Sequence, residues 1–324
     1  MEFKSATIRT LSMLGSCGAF GLAAVELPEI DDRVVVVTSD LCFYSGLERF
    51  KSRYPDRLYN VGIAEQNMIG VAAGFAKEGY IPFATTYATF ASMRCADQVR
   101  VNMGYMKSNV KLVGLTSGMS VGILGATHMS IEDLAVMRSI PNMTILSPAD
   151  CTETVKAVFA AAKHDGPVYL RLGGAMNCPI VYKSNFDYAI GKANVLSDGE
   201  DIAIIATGPM VAESLKAAKL LADDGISARV IDMHTIKPLD KDAVLASCKT
   251  KLIVTVEEHS VIGGLGGAVS EALAAVEKKP PQLIIGIEDE YENAAPYPDL
   301  IVKCGLDPQS IYNKIKRNYG GRHD

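Results

Sequence analysis

Cysteine, proline and glycine are all sparse in this chain, at 7, 14 and 28 of 324 residues. That excludes a disulfide scaffold, a collagen-like fibre and a disordered low-complexity chain. The cysteines are odd in number, scattered and without a CxxC pair, which argues against a zinc ribbon or a redox dithiol motif. Reduced, mostly buried thiols in a cytoplasmic protein are expected instead. A basic excess is also missing: 32 basic against 37 acidic residues give a net charge of −5, the wrong balance for a nucleic-acid partner. No stretch reaches the roughly 20 uncharged apolar residues of a membrane span, so no membrane partner is expected. Lys4 and Arg9 before the uncharged run Leu11–Val25 imitate a secretory signal. Glu2 in its charged region, and Gly15, Ser16, Cys17 and Gly18 breaking the apolar block, argue against one.

What is present is ordinary for a globular chain: 48% hydrophobic and 21% charged residues. At about 100–200 residues per domain, the length suggests two. The run VVVVT at 34–38 has the β-branched character of a buried parallel strand. Strands are also expected at 58–61, from 81, and at 111–115 and 167–171, with helices over 64–77, 87–103, 131–139 and 151–163. The small residues of 64–77 suit close packing. The Gly-rich SGMSVGILGATH after 115 reads as a loop. A second β/α series follows, with strands at 202–206, 228–231, 252–256 and 283–287 and helices at 210–222 and 264–275. The fold class is therefore α/β, two domains each with a mainly parallel sheet flanked by helices. Residues 1–185 form the first, the turn-rich 186–200 a linker, and 201–324 the second. No repeat of fixed period is present.

Several motifs carry chemistry, each beside a plainer reading. Gly263-Gly264-Leu265-Gly266-Gly267 opens a helix after a strand, where amides bind phosphate. It lacks the GxGxxG and GxxxxGK[ST] spacings, and a tight strand-to-helix turn accounts for it as well. Glu65, at the start of an apolar helix after a strand, is expected to be partly buried. It is then either a functional carboxylate needing a partner or a proton, or an acid favoured by the helix dipole. Tyr87 and Phe90, three apart, suit a core as well as a ring platform. His128 ends a flexible loop, a suitable place for a catalytic imidazole.

Taken together, NVGIAEQN, IPFATTYATFASMRCADQVR and VGILGATHMSIEDLAVMRSIPNMTILSPAD resemble the pyrimidine-binding domain of the transketolases. The similarity is greatest to split, two-subunit transketolases and extends to deoxyxylulose-phosphate synthases. ARVIDMHTIKPLD and VTVEEHSVIGGLGGAVSEAL resemble the C-terminal domain of the same superfamily, shared with β subunits of 2-oxoacid dehydrogenases. The resemblance implies a thiamine diphosphate enzyme that moves a two-carbon ketol unit from a ketose donor to an aldehyde acceptor. Glu65 matches the glutamate that hydrogen-bonds N1′ of the aminopyrimidine and stabilises its imino tautomer. Tyr87 and Phe90 match aromatics against the pyrimidine, Asp40 an aspartate beside the cofactor, and His128 a substrate-channel histidine. In the family the diphosphate and its Mg²⁺ or Ca²⁺ sit on a GDG…N motif of a separate domain. This chain has no GDG. The resemblance thus implies a large partner subunit carrying it, and self-association into an α2β2 assembly.

The substrate positions depart from the family pattern. Cys17 stands where a phosphate-binding arginine is usual, Thr116 and Leu124 where a histidine and a hydroxyl-reading aspartate are usual, and Tyr44 near a usual serine. Gly174 replaces an arginine, with Arg171 three residues earlier as a possible substitute. A less cationic, more apolar pocket is expected, for a substrate other than xylulose 5-phosphate unless the partner supplies the missing groups. Two other functions compete: a 2-oxoacid dehydrogenase β subunit, disfavoured by GATHMSIEDLAVMRSIPNM, and a non-catalytic paralogue, disfavoured by retention of Glu65, Asp40, Tyr87, Phe90 and His128.

Overall fold

The computed structural model describes residues 2–320. Its strands, in chain order, are β1 (Val34–Thr38), β2 (Leu58–Asn60), β3 (Ile81–Tyr87), β4 (Lys111–Ser117), β5 (Thr144–Leu146), β6 (Val168–Gly173), β7 (Asn194–Ser197), β8 (Ile202–Ala206), β9 (Ala228–Asp232), β10 (Thr235–Lys237), β11 (Leu252–Ser260) and β12 (Gln282–Ile287). They form a seven-stranded sheet, β10-β5-β6-β4-β3-β1-β2, and a five-stranded sheet, β12-β11-β8-β9-β7. Both are parallel except at the β10 and β7 edges. The α/β, mainly parallel, two-sheet architecture is the one expected from the sequence.

Every residue of β1 is buried because helices cover both faces of the sheet. Alternation then decides which core each side chain joins. Val34, Val36, Phe83 and Val113 pack with the helices Ser5–Ile30 and Cys151–Lys163. Val37, Ala84 and Leu112 pack on the opposite face with the helix Glu65–Lys77.

The structure departs from the sequence reading at three places. The helix Ser5–Ile30 is, by length and composition, apolar enough to cross a membrane, although no such stretch is expected from the sequence. Half of its apolar window is buried in the fold, where Leu11, Phe20, Ala23 and Leu27 join the core. At Gly21 a Cβ would lie 2.1 Å from the Gly46 carbonyl oxygen, so only glycine fits this crossing. Second, β7 lies inside the stretch read as a linker and pairs with β9, while β10 crosses back to pair with β5. The two halves are thus interlocked. Third, β3 runs on to Tyr87, and the expected helix 87–103 is broken into π-helical turns at Phe90–Arg94 and Val99–Tyr105.

Candidate functional site

Ligands of open α/β sheets bind outside the carboxyl ends of the strands, and the neighbouring strands β4, β3, β1 and β2 deliver their following loops to one such edge. Asp40 follows β1 with φ 61°, a left-handed backbone rare outside glycine. Its carboxylate accepts from Asn60 Nδ2 at 2.9 Å, and its N–H donates to Asn60 Oδ1 at 3.0 Å. Gly62 N–H also donates to Asn60 Oδ1. Asn60 therefore ties the β1 loop to the segment leading into Glu65.

Glu65 begins the next helix and is 4% exposed. Arg94 Nη1 donates to its Oε1 at 2.6 Å, and the same guanidinium lies 3.8 Å from the Phe90 ring centroid. The buried carboxylate is thus charge-paired, as burial demands. Phe90 and Arg94 share one π-helical turn, a form frequent at functional sites. Three rings meet beside this pair: Tyr87–Phe90 at 6.0 Å, Tyr87–His128 at 5.8 Å and Phe90–His128 at 5.4 Å between centroids. His128 Nδ1 lies 3.0 Å from Thr127 Oγ1. A bridge between Gly118 and Ser130 closes the base of the His128 loop.

The substrate positions divide. Thr116 has φ 51°, a strained backbone for a β-branched residue, and its buried Oγ1 has no hydrogen-bond partner among the described residues. Its backbone hydrogen-bonds the Cys17 thiol, which burial pushes up to about 11. Tyr44 packs 6.2 Å from Tyr87. Leu124, in a short turn at 122–124, is 46% exposed.

Arg171 corrects the sequence reading. It is 1% exposed and cannot substitute for a missing substrate arginine. Its Nε donates to Asp133 Oδ2 at 2.9 Å, which also accepts from Tyr169 OH at 2.7 Å. Its Nη2 donates to the Glu258 carbonyl across the two halves. Nor are the amides after Gly264 open to a phosphate: Leu265 and Gly266 N–H donate to the buried Glu257 carboxylate at 2.6 and 2.7 Å. The tight-turn reading of that glycine run is the fitting one.

Sequence reasoning misses Asn60 and Arg94 as functional residues. Both lie within the segments that carry the family resemblance, but their partners are 20 and 29 residues away.

Buried Glu65 beside a three-ring cluster suits a flat heteroaromatic ring with a hydrogen-bonding nitrogen. Among the described residues no three His, Cys, Asp or Glu side chains converge to hold a metal ion.

Comparison with known proteins gives two family matches: the transketolase pyrimidine binding domain over residues 14–175 and the transketolase C-terminal domain over 191–311. The chain is 44% identical over 291 residues to the 6-deoxy-6-sulfo-D-fructose transketolase subunit SqwH of Clostridium sp. (strain MSTE9), covering 89% of each. It is 38% identical over 301 residues to an apulose-4-phosphate transketolase subunit of Phocaeicola vulgatus, covering 93% of this chain and 96% of that one. A solved split-gene transketolase, described as an inactive beta4 tetramer, superposes with a TM-score of 0.86 at 40% identity, covering 93% of this chain and 97% of that one.

Proposed function

Because the chain belongs to the transketolase family, we propose that it is the smaller subunit of a two-component transketolase, corresponding to the carboxy-terminal half of single-chain members. The complex moves a two-carbon ketol unit from a ketose to an aldehyde with thiamine diphosphate. The observation that carries this reading is the buried Glu65, paired with Arg94, set against Phe90, Tyr87 and His128. The matched relatives of similar length are transketolase subunits, so the 2-oxoacid dehydrogenase reading is not favoured.

The chemistry supplied by bound thiamine diphosphate is a nucleophilic carbon able to hold the ketol unit between donor and acceptor. This chain's residues would grip the pyrimidine half. Glu65 would hydrogen-bond the ring nitrogen through its carboxylate, with Arg94 on Oε1 fixing its orientation. Tyr87 and Phe90 would flank the ring and exclude water, and Asp40, held by Asn60, would line its approach. His128 would donate to or accept from the substrate's oxygens. The diphosphate and its Mg²⁺ or Ca²⁺ are assigned to the large partner subunit.

The same edge carries the surface suited to that partner. Gly70 and Gly74 face open space on the Glu65 helix. Beside the site Ile63 is 78% exposed, and Met93 is also exposed. An α2β2 assembly would cover these side chains and close the site to water.

The substrate end is short of charge. Cys17, Thr116 and Leu124 supply no cation, and Arg171 is committed to Asp133. Relatives named for a sulfonated sugar and for a sugar phosphate bracket the class: a ketose whose tail is recognised partly by the partner. The test is reconstitution. Ketol transfer from hydroxypyruvate to a panel of aldehydes should appear only when this chain is mixed with a large subunit, and transfer by either component alone would overturn the proposal.

A further inference from the structure

The loop that carries Leu124 and His128 belongs to the first half of the chain but is held by the second. Consecutive strand residues face opposite ways. On β11, Glu257 takes the amides of the following helix, whereas Glu258 turns to the loop. Met119 N–H donates to Glu258 Oε1 at 2.6 Å, and Tyr297 OH donates to Oε2 at 2.8 Å. Glu258 and Met119 are both buried, so this amide has no water to turn to if the acceptor is lost. Gly118 has φ 65°, and a Cβ there would collide with Glu258 Oε1. Further along, Ala295 N–H donates to the Gly122 carbonyl at 3.2 Å, and Ser260 N–H donates to the Ile131 carbonyl at 2.7 Å. The loop is thus fastened to the second half at its start, middle and end.

We infer that Glu258 is a positioning residue for ketol transfer, setting through Met119 the geometry of the loop that presents His128 to the substrate. This rests on the assignment of His128 to the substrate's oxygens. Buried behind the loop, Glu258 acts through it and not on the reacting atoms. The loop's own closures carry a displacement at Met119 toward the imidazole. Gly118 and Ser130 are bridged, and His128 N–H donates to the Gly125 carbonyl at 3.0 Å. A shift of about 1 Å in a substrate-facing group costs on the order of 10²-fold in rate. The second half, which supplies none of the rings of Tyr87, Phe90 and His128, thereby shapes the substrate end of the site.

Two variants separate reach from charge. Glu258→Gln keeps an acceptor oxygen at the same distance, and Glu258→Asp keeps the charge but is one methylene too short. Amide hydrogen exchange is read on the full chain, and kinetics on its mixture with the large subunit. In Glu258→Asp the Met119 amide should exchange faster, and kcat/KM for hydroxypyruvate should fall about 10- to 100-fold. Exchange of the thiamine diphosphate C2 proton, which depends on Glu65, should stay at the wild-type rate. Glu258→Gln should return both altered quantities to near wild type. Unchanged Met119 exchange in Glu258→Asp, an equal fall in C2 proton exchange, or a Glu258→Gln variant as slow as Glu258→Asp would each overturn the inference. If the Glu258 variants do not fold, Tyr297→Phe decides. It leaves Glu258 in place but frees Oε2, so faster Met119 exchange is expected and an unchanged rate overturns the inference. A wild-type mixture without ketol transfer would instead overturn the transketolase reading, an outcome separate from the Met119 exchange rate of the chain itself.

Discussion

A carboxylate such as that of Glu65 tolerates burial only with a partner, and Arg94 provides one without leaving the turn that carries Phe90. Replacing Glu65 by Gln keeps the shape and removes the charge. In the reconstituted enzyme, exchange of the thiamine diphosphate C2 proton should fall by on the order of 10²–10⁴-fold, while circular dichroism is unchanged. Unchanged exchange would remove Glu65 from its role. Leu124 tests substrate choice. A buried polar group facing it would go unpaired at about 1–3 kcal/mol, or about 5- to 150-fold in discrimination. Leu124→Asp should raise kcat/KM for xylulose 5-phosphate relative to hydroxypyruvate by a factor in that range. An unaltered ratio would show that this position does not read the donor. Arg171→Leu should act on stability instead, because it strands Asp133 without its charge partner at about 3–5 kcal/mol. Thermal unfolding measures that loss. Glu65, Tyr87, Phe90 and His128 are legible in the sequence because each stands in a motif whose residue order survives without the fold. Arg171 is not, because a nearby arginine in sequence says nothing about which way a strand residue points, and this one points into the interdomain core.

At the scale of elements, the N-terminal helix crosses the loop after β1 so closely that a side chain at position 21 has no room. Gly21→Ala should cost about 1–3 kcal/mol through overpacking. Because that loop carries Asp40 and Tyr44, cofactor affinity in the complex should weaken together with the melting temperature. A variant as stable as wild type would show that the crossing is looser than this. The long β-branched strands are legible from composition and period, and β1, β8 and the helix Cys151–Lys163 have the bounds the sequence suggests. The three-residue strands β5 and β10 are not, since their pairing partners come from opposite halves of the chain. The π-helical turns at 90–105 are also hidden, because a regular helix and a π-broken one present nearly the same apolar spacing. The broken form places Phe90 and Arg94 side by side at Glu65.

For the whole molecule, buried acids join the two halves. Glu153 and Asp232 are both fully buried, with Tyr182 OH donating to Asp232 Oδ2 at 2.6 Å and Asp150 close by. Burial raises both acids, Asp232 to about 7. The folded chain thus keeps protons that the unfolded chain releases near pH 4. The Asp232 contribution to stability is complete below about pH 4, declines as pH rises toward about 7 and is flat above. Asp232→Asn should flatten that decline in melting temperature, and an unaltered slope would place the titration elsewhere. The central claim is that this chain holds half of a cofactor site and a partner holds the rest. Calorimetric titration of thiamine diphosphate with Mg²⁺, into this chain alone and into its mixture with the large subunit, tests it directly. Saturable binding is expected only in the mixture, and micromolar binding by the chain alone would contradict that claim.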